Sequence, residues 1–457
     1  MNIIIFGTGS TAKSALKQID LTKQNIVAIT DNDQNKWGKE WNGFKIINPD
    51  QLSDYSYDFI LICSMYTEEI IETILKKGIS RKSIVPYFDN LDFKKILTKD
   101  EKIRNKIFCS SENNKIALVT RRNSGCNCRA LYKFKPKNIN ENFEVSLLNL
   151  TEYKNQWESF GASITTHLEG RFYKNKFNIE SWHGFPIKSL GLIEKNRTDN
   201  IANVDKGIDY IISYSNLYSY IMSSVYKIDI TKFIVTGMPR NDFLLNYESK
   251  NLISKLINKD IKNKKIIFYV PTFRRRKDKE NWEGNNVISD FEDFKLIDEY
   301  LNEINGYLIV KKHPVEREAF NENIFNNIFF LEDLNLQELK IDFYEILGGS
   351  DLLITDYSSV YFDYLLLNKP IIFWLKDQKV YEHNRGFLFE NVDQLMPGPK
   401  VELVSDLLSS ISRSMREFNW YADDRNNVKK LVHKYEDFHS SQRVWEIFQN
   451  KYNKQFR

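Results

Sequence analysis

The sequence predicts an α/β protein of three successive domains with parallel sheets, ending in a helical tail. Three observations carry this reading. Strand-length runs of Ile, Val, Leu and Phe alternate with stretches of helical spacing, and continuous apolar strands suit sheets covered on both faces. A glycine-rich turn, "IIIFGTGSTA", joins the first strand to the first helix. The chain has 457 residues, more than one ordinary core holds, so two or three domains are expected.

Residues 1–90 read as a small Rossmann-like α/β module. "NIIIFG", "NIVAITD", "YDFILIC" and "KSIVPYF" are its strands, and "STAKSALKQI" and "TEEIIETILKKG" its helices, the second closed by Gly78. Residues 91–114 turn charged and helical without a core signal and read as a linker. "KIALVT" restarts the rhythm in a domain spanning 115–245, with further strands at "FNIESW", "DYIISYS" and "KFIVTG". A third domain, 246–400, runs through "KKIIFYVPT", "GYLIVKKHP", "NIFFLED", "SDLLITDYSS" and "KPIIFW". Residues 401–457 read as C-terminal helices carrying Trp420, Tyr421, Trp445 and Phe448.

Composition narrows the function. The chain is 42% hydrophobic and 28% charged, with a formal charge of +4. That is globular, and too weakly basic for a dedicated nucleic-acid binder. Four cysteines are few. Cys63 reads as a core residue, and Cys126 with Cys128 lacks a second pair at zinc spacing, so no metal site is expected. The chain opens directly on a strand and holds no apolar run of spanning length. The expectation is a cytoplasmic protein, with room for peripheral attachment to the inner membrane face.

The first candidate site is the glycine turn. Gly7, Gly9 and Ala12 follow the G-x-G-x-x-G/A pattern, and Asp31 ends the second strand where a ribose-binding acid belongs. Amides at the helix start would grip an anionic nucleotide. The same glycines also serve tight strand–helix packing, and both readings stand.

The second constellation lies in the third domain. Asp356 ends a strand, Ser358 or Ser359 caps the helix that follows, and Asp363 falls one turn on, where it could meet ribose hydroxyls. Thr272 and Arg274 follow one strand, and Lys312, His313 and Pro314 another. Ligands bind outside the carboxyl ends of such strands, and an Arg fork suits a diphosphate. In the second domain "NIESWHGFPIKSLG" puts His183 at the end of a strand, with Gly184 expected to leave room for an acceptor and Lys188 able to face an anion or solvent.

"WHGFPIKSLG", "GMPRNDFLL", "YVPTFR", "KKHP", "TDYSSVYFDYLLLNKPIIFW" and "HNRGFLFE" together resemble the CDP-glycerol glycerophosphotransferase family, the teichoic-acid and capsule polymerase type. The resemblance runs from about Lys115 to the end and implies a GT-B pair of Rossmann-like domains, acceptor side first and CDP-polyol side second. It implies that His183 is the acceptor-side base and His313 a donor-phosphate or leaving-group residue. Arg274, Ser358 and Ser359 would hold the diphosphate, with Thr272 and Asp356 beside it and Asp363 near the ribose. Arg240 and Arg385 match family positions without an assigned role. Phe185 departs from the pattern, where Thr is frequent, and leaves the acceptor open.

The implied reaction moves a polyol phosphate, glycerol phosphate first among candidates, from a CDP-polyol to an acceptor hydroxyl, releasing CMP with no required metal or cofactor. The acceptor would be a polyol phosphate or glycan, and a lipid-linked one fits. The polyol itself, and whether the chain primes or extends, stay open. Two alternatives remain: a GT-B glycosyltransferase with a nucleotide-sugar donor, and a nucleotide-binding scaffold whose working site is Gly7–Asp31.

Overall fold

The computed structural model describes residues 1–64, 67–80, 83–87, 114–121, 124–171, 175, 177–194, 204–272, 290–311 and 324–456. The expected linker lies outside these residues except for Asn114, and so do Arg274, Lys312, His313 and Pro314. The chain forms two compact units, Met1–Asn114 with Lys154–Gly161, and Lys115–Tyr153 with Ala162–Arg457.

The first unit holds strands β1 (Asn2–Phe6), β2 (Asn25–Thr30), β3 (Glu40–Trp41), β4 (Phe44–Ile47), β5 (Phe59–Ile62) and β6 (Ile84–Pro86), in the order β3-β4-β2-β1-β5-β6. The unbroken apolar run of β1 has a simple cause. Ile3 and Ile5 enter one core with Ala12, Ala15 and Phe59, while Ile4 and Phe6 enter another with Ile60, Ile62 and Ile74. Both faces are covered, so alternation with polar residues is lost. Only β3 and β4 pair antiparallel among the described strands, through Asn42 and Gly43 at φ +48° and +82°. That Asn-Gly pair is the turn chemistry of a tight hairpin. It was legible in "EWNGFKII", where no strand was expected.

The second unit contains two six-stranded parallel sheets. The first comprises β7 (Lys115–Thr120), β8 (Glu144–Asn149), β9 (Ala162–Thr165), β10 (Phe177–Glu180), β11 (Tyr210–Ser213) and β12 (Phe233–Val235), ordered β12-β11-β10-β9-β7-β8. The second comprises β13 (Lys265–Val270), β14 (Gly306–Lys311), β15 (Ile328–Leu331), β16 (Leu352–Thr355), β17 (Ile371–Trp374) and β18 (Lys400–Val401), ordered β15-β14-β13-β16-β17-β18. This is the expected pair of Rossmann-like halves. β8, β9 and β18 were missed: β8 is only half-buried and alternates weakly, and β18 has two residues.

One apolar cluster runs through both halves, joining Ile116, Ile164 and Phe185 to Phe268, Leu353 and Phe362. The C-terminal helices divide between them. Leu407 and Ile411 of the helix Val404–Arg416 pack with Trp374 and Val401 of the second sheet. The last helix, Ser440–Phe456, returns to the first: Phe448 meets Phe177 edge-on at 5.5 Å, and the Trp445 indole N–H donates to the Leu131 carbonyl at 3.0 Å. The tail is therefore shared between the halves instead of standing as its own layer, and Trp445 and Phe448 are wholly buried. Among the described residues no helix is long and apolar enough to cross a membrane.

Truncating a buried Trp costs about 3–5 kcal/mol. Trp445→Ala is expected to lower the stability of the second unit by that amount in chemical denaturation. A loss below about 1 kcal/mol would contradict this docking of the last helix.

Candidate active site

The turn after β10 is built against strain. Trp182 sits at φ +51°, a conformation that costs a bulky residue energy. Its N–H is held by Glu180 Oε1 at 2.7 Å, and the Ser181 N–H by the Thr165 carbonyl at 2.8 Å. The Asn127 amide donates to the Ser181 and Trp182 carbonyls at 2.9 and 3.0 Å. The next residue is His183, whose Nδ1 lies 3.0 Å from the Thr166 carbonyl. A carbonyl only accepts, so Nδ1 carries the proton, and in the neutral form of the ring the lone pair is on Nε2. That is the form a general base needs. The ring stacks on His167 at 4.2 Å and on Trp182 at 4.3 Å.

Glu180 is fully buried beneath this turn. Burial, then the neighbouring Glu169 carboxylate, pushes its carboxyl up to about 8, against hydrogen bonds from Thr165, Trp182 and Leu168.

Gly184 adopts φ +155°, and a Cβ there would collide with Ser359 Oγ. The space expected for an acceptor hydroxyl is thus filled by the start of the helix Val360–Tyr364 in the other half. The glycine serves contact between the halves, and brings the His183 turn against Ser359. Phe185 takes the same direction, packing on Tyr214, Tyr218 and Phe362. It plugs the junction, which accounts for a large apolar residue at that position.

Behind Gly184 lies a buried ion pair. Arg240 donates from Nη1 to the His183 carbonyl at 2.7 Å and from Nη2 to Asp363. The Asp363 oxygens also accept from the Tyr214 and Tyr344 hydroxyls at 2.8 and 2.7 Å, and the guanidinium lies over the Tyr344 ring at 5.0 Å. Burial opposes the guanidinium's charge, but Asp363 and the tyrosines outweigh it and raise its pKa. The tyrosines are raised first by burial and, in both cases, also by the Asp363 charge. Asp363 is 0% exposed. The expectation that it meets a ribose is therefore corrected: its oxygens face protein donors, and its work is to anchor Arg240. Arg240, without an assigned role in the sequence, ties the carbonyl of His183 to the helix behind Ser359.

The loop beyond Gly184 also crosses the junction. Lys188 bridges Phe387, Ser189 N–H donates to the Gly386 carbonyl at 3.1 Å, and Lys188 Nζ reaches Thr272 Oγ1 at 3.3 Å. Lys188 thus points to the donor half, not away from it. Arg385 forms an ion pair with Glu194. Thr272 N–H donates to Asp356 Oδ1 at 2.8 Å, tying the ends of β13 and β16 together. These strands and β14 are parallel neighbours in the sheet, so Thr272, Lys311 and the Ser358–Ser359 turn stand at their carboxyl ends along one edge. Ser359 stands at the N-cap, but its hydroxyl makes no capping bond. Among the described residues no three His, Cys, Asp or Glu side chains gather as metal ligands.

Asn127, Glu180, Tyr214 and Tyr344 were not singled out from the sequence. Their signal is burial of polar groups, which appears only when distant segments meet.

In the first unit, Gly7 has φ +111°, and a Cβ there would stand 2.5 Å from the Cys63 carbonyl oxygen. Gly9 faces open space at the start of Ser10–Gln18. Asp31 accepts from Thr8 Oγ1 at 2.5 Å, Asp33 N–H at 3.0 Å and Lys36 Nζ at 3.1 Å. Burial opposes these bonds, but together they hold the carboxyl below its usual range. The geometry of Gly7 and Asp31 is that of strand packing with an occupied carboxylate.

Residues 102–449 match the family described as CDP-glycerol:poly(glycerophosphate) glycerophosphotransferase, and residues 1–85 match the C2185-like N-terminal family. The chain is 32% identical over 276 residues to the teichoic acid poly(glycerol phosphate) polymerase of Bacillus spizizenii, covering 55% of this chain and 64% of that one. It is 30% identical over 284 residues to the teichoic acid glycerol-phosphate primase of Bacillus subtilis, covering 60% and 68%. A polymerase of Bacillus subtilis with the first relative's name is matched over 32% of its length at 31% identity. The chain thus spans under two-thirds of the first of these polymerases and about a third of the second. In fold it is similar to a variant of the wall teichoic acid polymerase TagF, with TM-score 0.63 at 20% identity, covering 77% of this chain and 93% of that one.

Removing one partner of a buried ion pair costs about 3–5 kcal/mol, because the other charge stays stranded. Arg240→Met is expected to lose that much stability, while Arg240→Met with Asp363→Leu recovers at least about 1 kcal/mol relative to the sum of the single changes. Additive losses in denaturant unfolding would contradict the pairing. The Glu180 carboxyl makes a second prediction. Its value rises from 4.5 unfolded to about 8 folded, so between these limits the folded chain holds a proton that the unfolded chain releases. The stability from this group is full below 4.5 and lost as pH rises through 8. The unfolding free energy of Glu180→Gln, from denaturant titrations, should therefore gain on the wild type between pH 5 and pH 8, at about 1.4 kcal/mol per pH unit at most. A constant gap would contradict the buried, protonated state.

Proposed function

This chain belongs to the CDP-glycerol:poly(glycerophosphate) glycerophosphotransferase family, and on that premise we propose that it transfers a polyol phosphate from a CDP-polyol to an acceptor hydroxyl and releases CMP. The observation that carries the reading is the junction itself. The Nδ1-protonated imidazole of His183 belongs to a turn that packs, through Gly184, directly on Ser359 at the donor-side strand edge. Base and anion cradle would then serve one substrate pair. Glycerol phosphate is the group we assign, following the family's own substrate, with a polyol-phosphate chain as acceptor.

The chemistry asks little of the protein beyond placement and charge. His183 Nε2 would take the proton as the acceptor oxygen forms its bond to the β-phosphorus. The bond from that phosphorus to the bridging oxygen breaks, and CMP departs with the electron pair. Lys188, Ser358 and Ser359, with Arg274 and His313 assigned from the sequence, would offset the phosphate charge. Thr272 and Asp356 tie the strand ends that bear them.

Loss of a general base typically costs 10²–10⁴-fold in rate. His183→Ala is expected to lower CMP release from CDP-glycerol by that factor while donor affinity stays within about threefold. Ser359→Ala should instead weaken donor binding. Turnover of His183→Ala equal to wild type would sink the base assignment, and release of CDP in place of CMP would sink the phosphoryl transfer.

A further inference from the structure

We propose that His167 is a positioning residue for His183: a flat platform that fixes the plane of the base and hence the aim of its Nε2. The inference rests on the proposed role of His183. Two of six histidines in the chain meet here although they lie sixteen positions apart, with ring centroids 4.2 Å apart and planes within 11°. The segment carrying His167 is as firmly held as the turn carrying His183. The amides of Thr166 and His167 donate to Glu169 Oε2 at 3.3 and 2.8 Å, and that of Leu168 donates to Glu180 Oε2 at 2.8 Å. Leu168 lies at φ +61°, a second left-handed residue opposite Trp182. Glu180 thus grips both backbones at once, taking Trp182 N–H on its other oxygen.

Rigid backbones alone do not set an imidazole's orientation, because its outer torsion is broad. The bond from Nδ1 to the Thr166 carbonyl fixes one edge of His183. The His167 face fixes the plane, and its own Nδ1 meets Thr166 Oγ1 at 2.9 Å, so the platform is itself anchored. Thr166 therefore serves both rings, one through its carbonyl and one through its hydroxyl. A base misaligned by a fraction of an ångström loses rate without losing substrate, which separates this role from donor binding.

The test compares His167→Ala with His167→Phe, which keeps a flat ring, using CMP release from CDP-glycerol and the imidazole ¹⁵N spectrum of His183. His167→Ala should lower kcat about 10–100-fold with the donor KM within about twofold, and His167→Phe should regain most of it. In the spectrum, the Nδ1–H tautomer of His183 should give way to a mixed tautomer in the Ala variant and persist in the Phe variant. Wild-type kcat in both variants, or equal loss in both, overturns the platform. Should the wild type release no CMP, the transfer reading fails separately and the spectrum decides alone: a His183 tautomer unchanged in His167→Ala overturns the proposal.

Discussion

The second unit depends on one buried ion pair, Arg240 with Asp363. Two charges removed from water carry a desolvation cost that their mutual attraction need not recover. The surrounding groups explain why the pair persists. The Asp363 oxygens take hydroxyls from Tyr214 and Tyr344, and the guanidinium reaches the His183 carbonyl and stacks on Tyr344. Every one of these partners comes from a different segment. The pair therefore ties the His183 turn to the helix that begins after Ser359.

The other features of the junction follow from that constraint. Gly184 is needed because Ser359 occupies the place of a side chain, and Phe185 because an apolar plug must exclude water from the pair. Low local dielectric strengthens each polar contact that is satisfied and penalises each one that is not. The same logic repeats one layer down, where Glu180 and Glu169 hold the amides of the two histidine-bearing segments. The strain at Trp182 and Leu168 is stored where the candidate chemistry lies, with strong acceptors compensating it.

Much of this was legible in the sequence. Strands buried on both faces announce themselves as unbroken apolar runs, which is why β1, β5, β13, β14, β16 and β17 were read directly. Short edge strands such as β3 and β18 carry too few residues for a pattern. His183 could be singled out because a histidine between Trp and Gly at a strand end is unusual. Asp363 was misread because a carboxylate one turn into a helix looks the same whether it faces solvent or a distant arginine. Arg240 lies 123 positions earlier in the chain, and no local spacing records that partnership. The stacking of His167 on His183 escaped for the same reason, since it is set by the parallel pairing of β9 with β10.

The claim at the centre is that the His183 imidazole and the strand edge ending in Ser359 act on one substrate. A crystal structure of this chain with bound CDP-glycerol tests it most directly. The account predicts the diphosphate at that edge, with the β-phosphorus lying between Ser359 and the Nε2 side of His183. A nucleotide seated instead at the Gly7–Asp31 turn, or a diphosphate pointing away from His183, would contradict it.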